Sequence, residues 1–155
     1  MKYYVIEPEV AGSWAENTVV ADRSVHPPQI TKLHYEFDGW DGDAIAESFP
    51  VYLVTREAME KILQIKPTGV SFDDVEVTTS DQFRHFYPNL KLPEFVWLKV
   101  EGQAGHDDFG IVPYRDINAI ADPELCLVIS QRILDILAAL GITYADVREY
   151  DGPKL

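Results

Sequence analysis

Residues 51–77 read VYLVTREAMEKILQIKPTGVSFDDVEV, and residues 126–150 read CLVISQRILDILAALGITYADVREY. Both stretches contain a short apolar run, a Thr or Ser, an apolar pattern with helical spacing, a Gly and a final acidic run. When the two stretches are aligned, Thr55 matches Ser130 and Gly69 matches Gly141, with a small excess of residues before Gly69. The chain therefore contains two internally similar strand–helix–strand units, and these units decide the predicted fold.

The ends of the two helices are predicted from their flanking residues. Thr55 and Ser130 are typical N-cap residues, because a hydroxyl oxygen can accept a hydrogen bond from a free backbone N–H of the first turn. The first helix is predicted from Arg56 to Lys66, because Pro67 cannot continue it. The second helix is predicted to end at Gly141, since glycine readily adopts a left-handed conformation.

The remaining strands complete an α+β fold. The chain has further strand patterns at residues 2–6, 30–37 and 95–100. Helices this short are marginal alone, so each must pack on a sheet. A chain of 155 residues fits one domain, so we predict a single domain over residues 1–155. Strand–helix–strand crossovers usually join parallel strands. In that domain two main helices cover one mixed β-sheet of about six strands.

The composition is acidic. The chain of 155 residues has 26 acidic and 13 basic residues, which gives a net charge of −13. Such a charge disfavours nucleic acid and anionic membranes and favours a basic protein partner, although acidity also keeps a protein soluble. The sequence shows neither a signal peptide nor an apolar stretch of transmembrane length, so a cytoplasmic location is predicted.

The residue types that support catalysis or metal binding are present but scattered. The four histidines lack ligand spacing, and Asp38, Asp41 and Asp43 do not follow the rhythm of a calcium loop. Phosphate-binding glycine motifs and paired cysteines are missing from the sequence. We therefore predict no catalytic residue, no metal and no cofactor. The alternative is a small enzyme or ligand-binding domain that uses the loop His106-Asp107-Asp108.

An acidic loop with a central aromatic residue is the best candidate for partner binding. Residues 38–43 read DGWDGD, and glycine and aspartate both favour a loop. Aromatic side chains often anchor protein interfaces, while surrounding acids steer a basic partner. The other interpretation is that the indole belongs to the core and the acids to a solvated rim. The predicted partner-binding residues are Asp38, Trp40, Asp41, Asp43, Asp107 and Asp108.

The two units and the opening strand Lys2-Tyr3-Tyr4-Val5 resemble a bacterial family of polymorphic-toxin immunity proteins, the family typified by a myxobacterial immunity protein. In both units an apolar strand ends in Val-Thr or Ile-Ser, and the helix is followed by Gly-Val or Gly-Ile and an aromatic residue. The resemblance covers nearly the whole chain, and it departs after Thr143, where a further glycine is expected. It implies a non-enzymatic inhibitor that binds a cognate secreted toxin, expected to be basic. A general adaptor module is the third possibility.

Overall fold

The computed structural model describes residues 1–25, 27–114 and 124–152. Within these ranges it contains thirteen strands and three helices, so the fold is α+β. The elements before the first helix are β1 (Tyr3–Glu7), β2 (Gly12–Trp14), β3 (Val19–Asp22), β4 (Gln29–Lys32), β5 (His34–Phe37), β6 (Ile45–Ser48) and β7 (Val51–Thr55). They are followed by α1 (Arg56–Gln64), β8 (Val70–Asp73), β9 (Glu76–Thr79), α2 (Asp81–Phe86), β10 (Phe95–Val100), β11 (Phe109–Tyr114), β12 (Glu124–Ser130), α3 (Gln131–Leu140) and β13 (Asp146–Glu149).

The described strands form four sheets. Their strand orders are β11-β12-β1-β13, β6-β7-β10-β8, β2-β5-β9 and β3-β4. In the second sheet, β7 and β8 both pair antiparallel with β10, so they run in the same direction on either side of it. In the first sheet, β12 and β13 flank β1 in the same way. The prediction of one mixed sheet is therefore wrong. The strands on either side of α1 belong to one sheet, and the strands on either side of α3 belong to another. In each sheet, a third strand lies between these two strands.

The main hydrophobic core lies where α1 and α3 pack against each other and against these two sheets. Each helix buries residues four positions apart on one face, Ala58 and Ile62 from α1 and Ile133 and Leu137 from α3. Burying an Ile or Leu side chain contributes about 1.5–3 kcal/mol, which short helices require for their stability. The α1 and α3 helices therefore depend on the sheets that they cover.

A second core fills the opposite face of β7 and β10. Along β10, Val96 and Leu98 point into the main core, whereas Phe95 and Trp97 point into the second one. The three-stranded sheet closes this second core with the buried aromatic side chains of β5. Because β7 and β10 are buried on both faces, their sequences are continuous apolar runs and do not alternate.

Several predicted element boundaries agree with the structure, and others do not. The helix α1 begins at Arg56 as predicted and ends at Gln64, and β10 covers the predicted residues 95–100. The strand predicted over residues 30–37 is divided into β4 and β5, which belong to different sheets. Buried Leu33 lies between them, and its carbonyl accepts a hydrogen bond from the backbone N–H of Glu76 at 3.0 Å. The chain thus changes sheets at this position.

The helices of the described part of the chain are short. None of them has the length and apolar character needed to cross a membrane.

Candidate partner-binding site

The Trp40 loop, residues 38–44, connects β5 to β6 as an irregular segment, as predicted. Asp38 and Asp41 are exposed, and Trp40 is half-buried. The indole Nε1–H of Trp40 donates to the carbonyl oxygen of Asp43 at 2.9 Å. Its ring meets the ring of Phe95 edge-on, with centroids 6.1 Å apart and an interplanar angle of 88°. Trp40 therefore anchors its own loop on the second core while part of its side chain remains accessible.

Asp43 lies on the inner side of the loop. The residue is only 2% exposed, and its Oδ2 accepts a hydrogen bond from the backbone N–H of Tyr144 at 2.9 Å. Burial raises the pKa of Asp43, while the N–H groups of Tyr144 and Thr143 act in the opposite direction. Asp43 thus fastens the loop to the turn after α3, and its carboxylate does not face a partner in this conformation.

Glu9, which sequence reasoning did not single out, brings a further carboxyl group to the Trp40 loop. Burial, a hydrogen bond with Asp41, and repulsion from Asp41 and Asp43 raise the pKa of Glu9 to about 7. Within the described residues, its buried Oε2 atom has no hydrogen-bond partner. Two carboxyl groups can form a hydrogen bond only when one of them holds a proton. The loop is therefore sensitive to the protonation of Glu9.

Asp108 is the centre of a second polar cluster, and it too is buried, at 4% exposure. Its carboxylate accepts hydrogen bonds from Arg132 Nε at 2.8 Å and from the backbone N–H of Thr68 at 2.9 Å. The hydroxyl of Ser130 donates to Asp108 Oδ1 at 2.7 Å. The hydrogen bond from Arg132 is the main cause that holds the pKa of Asp108 far below its ordinary value. All these contacts are with residues of the same chain, so the Asp108 carboxylate has a structural role.

The predicted helix caps differ in how they work. Thr55 caps α1 as expected, because its Oγ1 accepts a hydrogen bond from the backbone N–H of Ala58 at 3.2 Å. Ser130 occupies the N-cap position of α3, but among the described residues its hydroxyl accepts no bond from the helix. That hydroxyl donates to Asp108 instead, which corrects the predicted capping role. Gly141 ends α3 with a φ of 113°, and its N–H donates to the carbonyl of Leu137 at 3.0 Å.

Arg132 extends the Asp108 cluster to the end of the other helix. Its Nη1 donates to the carbonyl oxygen of Ile65 at 3.1 Å, next to the end of α1. At the other end of the α1–α3 pair, the backbone N–H of Ala44 donates to the carbonyl of Gly141, which follows α3. The segment before β6 thus holds the turn after α3, and the segment before β11 holds the turn after α1. The half of the fold that contains α1 and the half that contains α3 thus each hold the turn that follows the other's helix.

The two acidic loops lie at opposite ends of the helix pair. Leu140, at the end of α3, lines the same cleft as Arg56, at the start of α1, so the two helices run antiparallel. Asp43 belongs to that end, whereas Asp107 and Asp108 belong to the end that contains Ile65. A nine-residue helix such as α1 spans about 14 Å at 1.5 Å per residue. The structure therefore does not combine the six predicted residues into one site.

The loop His106-Asp107-Asp108 is closed by local bonds. Asp107 is half-buried, and its Oδ2 accepts a hydrogen bond from the backbone N–H of Gln103 at 2.7 Å. The carbonyl of exposed His106 accepts a bond from the Tyr3 hydroxyl at 3.0 Å. In the part of the chain that the structure describes, no group of His, Cys, Asp and Glu residues is placed to hold a metal ion.

The clefts on the described surface include two that bear on the site. One has a volume of about 510 Å³ and lies between the two large sheets, with Tyr52, Trp97, Leu98, Val100 and Ile111 among its mainly apolar lining. The other, which we call the Trp40 cleft, has a volume of about 240 Å³. It is lined by Trp40, Gly42, Ala44, Thr55, Arg56, Glu57, Pro93, Glu94 and Leu140.

No protein-family model matches the chain, and no curated protein matches its sequence. The functional argument therefore depends on the chain's own geometry.

Proposed function

We propose that this protein is an immunity protein that binds and neutralises a cognate secreted antibacterial toxin by protein–protein interaction in the cytoplasm. The observation that supports this most is the Trp40 loop, in which the half-buried Trp40 lies in sequence between the exposed residues Asp38 and Asp41. Trp is among the residues most often found at interface hot spots, and acidic groups around it favour a basic partner. The net charge of −13 extends the same preference to the whole molecule.

Exposed aromatic residues near the loop enlarge this surface. The ring of Tyr87 lies beside Gly39, where an added methyl group would come within 3.3 Å of it. Phe86, which directly precedes Tyr87 in the chain, is exposed at the end of α2. Exposed apolar groups that lie next to one another and are rimmed by charges are typical of protein interaction sites. The proposed contact surface therefore consists of Asp38, Trp40, Asp41, Phe86 and Tyr87.

The contact residues of this proposal differ from those expected from the sequence. Asp43 and Asp108 are buried and bonded internally, so we assign them to the support of the loops. Asp107 lies at the other end of the helix pair and is a separate, weaker candidate. The alternative of a small enzyme or ligand-binding domain at His106-Asp107-Asp108 is less well supported, because the Asp108 carboxylate is occupied by Arg132, Ser130 and Thr68.

Toxin binding should depend on Trp40. The chain is co-expressed with the product of the neighbouring gene, and growth rescue and co-purification are scored. We expect the wild-type chain to rescue growth and to co-purify with that product. Trp40→Ala should weaken the binding by about 2 kcal/mol or more, which is about thirtyfold in Kd. Association should also slow as salt is added, because exposed charges are screened.

Controls separate binding from folding. Trp40 packs on Phe95, so Trp40→Ala is also expected to lower stability, and thermal unfolding is measured for each variant. Trp40→Phe keeps an aromatic ring on the second core but removes the indole, and it should bind with intermediate affinity. Failure of the wild-type chain to rescue growth would remove the proposed function. Rescue by a folded Trp40→Ala variant at unchanged affinity would remove only this surface.

A further inference from the structure

The Trp40 cleft is built from four segments that backbone hydrogen bonds hold together. The N–H of Thr55 donates to the carbonyl of Ala44 at 3.0 Å, and the N–H of Arg56 donates to the carbonyl of Glu94 at 2.8 Å. Ala44 in turn donates to Gly141 at 2.8 Å. The Trp40 loop, the start of α1, the segment before β10 and the end of α3 are therefore fixed relative to one another. The cleft is a preformed feature of the fold.

Its size suits one side chain. Pockets for complete small molecules usually have volumes of about 300–1,000 Å³. The Trp40 cleft, at about 240 Å³, is smaller than that range. Its walls combine an indole and the apolar side chains of Pro93 and Leu140 with the carboxylates of Glu57 and Glu94. This combination matches a long side chain with an apolar stem and a charged end.

The electrostatics of the cleft favour a cation. The lining contains one basic residue, Arg56, and two acidic residues, Glu57 and Glu94. Two further acids, Glu60 and Asp74, are close enough to interact electrostatically with Arg56. The last turn of α3, residues 137–140, contains no basic residue to offset the partial negative charge at that helix end. At the start of α1 the opposite partial charge is already balanced by the Thr55 cap and by Glu57.

The resident ion pair in the cleft is exchangeable. Arg56 Nε, itself a buried atom, lies 2.8 Å from Glu94 Oε2, whereas the two side chains as a whole are 42% and 64% exposed. Exposed ion pairs of this kind contribute little, about 0–1 kcal/mol, so an incoming cation loses little by replacing Arg56. Glu94 can therefore serve as the counter-charge for a partner's side chain.

We infer that the Trp40 cleft is a receptor for one long cationic side chain, Lys or Arg, of the partner protein, with Glu57 and Glu94 as its counter-charges. This inference rests on the proposed function, since it states which chemistry of the partner the surface recognises. The stem of the bound side chain packs against Trp40, Pro93 and Leu140. Its charged end lies between the two carboxylates, where an arginine can also interact with the indole.

The test uses small probes and requires no toxin. The ¹⁵N-labelled protein is titrated with N-acetyl-arginine amide, and the three indole N–H signals of Trp14, Trp40 and Trp97 are followed by NMR. We expect the Trp40 signal to shift saturably while those of Trp14 and Trp97 stay in place. N-acetyl-norleucine amide, which has an apolar chain without the charge, should give no saturable shift.

Variants make the assignment specific. The double variant Glu57→Gln/Glu94→Gln should raise the Kd of the arginine probe by about fivefold or more, because both counter-charges are lost. Arg56→Gln should lower that Kd, since Glu94 is then free for the probe. Glu16→Gln, in the turn after β2, carries the same charge change outside the cleft lining and should leave the Kd unaltered.

The outcomes separate this inference from the proposed function. An absent Trp40 shift, an equal response to the norleucine probe, or weaker binding by Arg56→Gln would overturn the cationic receptor. If growth rescue by the wild-type chain holds in that case, only the cleft assignment falls. If the arginine probe binds as expected but growth rescue fails, the cleft keeps its chemistry and the proposed toxin partner is rejected.

Discussion

Replacing Asp108 with alanine is expected to lower the free energy of unfolding by about 3 kcal/mol, because it removes the buried partner of an ion pair. The change leaves the Ser130 hydroxyl, which is fully buried, and the backbone N–H of Thr68 without their acceptor. It also releases Arg132 from the position in which it binds the carbonyl of Ile65. Urea unfolding at neutral pH, followed by circular dichroism, measures the loss.

Asp107→Ala is the matched control for Asp108→Ala. Asp107 is the adjacent residue, it is only half-buried, and its carboxylate accepts a hydrogen bond from the backbone N–H of Gln103. Its removal should cost about 1 kcal/mol, the usual net contribution of one hydrogen bond. Equal losses for the two variants would contradict the central role of Asp108.

The contribution of Asp108 should also depend on pH. Its pKa is lower in the folded protein than the ordinary value of 3.8, so the folded state binds this proton less readily than the unfolded state does. The stabilisation is therefore present above about pH 4 and is lost as pH falls further below it. In an acid titration, Asp108→Asn should lose less additional stability below pH 4 than the wild-type protein does.

Glu9→Gln is expected to stabilise the protein at pH 8 by about 2–3 kcal/mol. The folded pKa of Glu9 is about 7, above the ordinary value of 4.5, so the folded state binds more protons than the unfolded state between these values. Stability from this group therefore falls as pH rises from about 4.5 to 7, by about 1.4 kcal/mol per unit of pKa difference. Glutamine stays neutral and can still donate a hydrogen bond to Asp41, as the protonated acid does.

Stability profiles of the two proteins between pH 4.5 and 8 provide the measurement. The wild-type profile should decline over this interval, and the Glu9→Gln profile should be flatter. Glu7→Gln serves as the control, because Glu7 is exposed on β1 and forms an ion pair with Arg148. A wild-type profile that stays level from pH 4.5 to 8 would refute the shared proton at the Trp40 loop.

Local signals were sufficient to predict α1, α3 and several strands, whereas α2 (Asp81–Phe86) was not predicted. Thr55 caps α1 as its position suggested, Gly141 ends α3, and the apolar spacing within each helix matches the buried face. These features depend on residues within one or two turns of each other, so they can be read from sequence. The same holds for the DGWDGD segment, which forms the predicted loop.

Features that depend on distant partners could not be predicted. The sequence around residues 51–77 does not reveal that β10 lies between β7 and β8, because strand pairing is set by contacts far along the chain. Asp43 and Asp108 resemble ordinary loop acids, and their burial depends on Tyr144, 101 residues away, and on Arg132, 24 residues away. Glu9 was missed because its effect arises only when the fold places it beside Asp41.

The insertion of β1 between β12 and β13 determines when this sheet can form during synthesis. Tyr3 pairs with Ser130 and Tyr4 with Glu149, so a strand translated among the first residues waits for neighbours translated more than a hundred residues later. Contacts of such wide separation slow folding, since a long loop must close before they form. The growing chain on the ribosome therefore holds an unpaired β1 until β12 has emerged, and β1 gains its second neighbour when β13 follows. The pairing of α1 with α3 likewise waits until α3 has been translated.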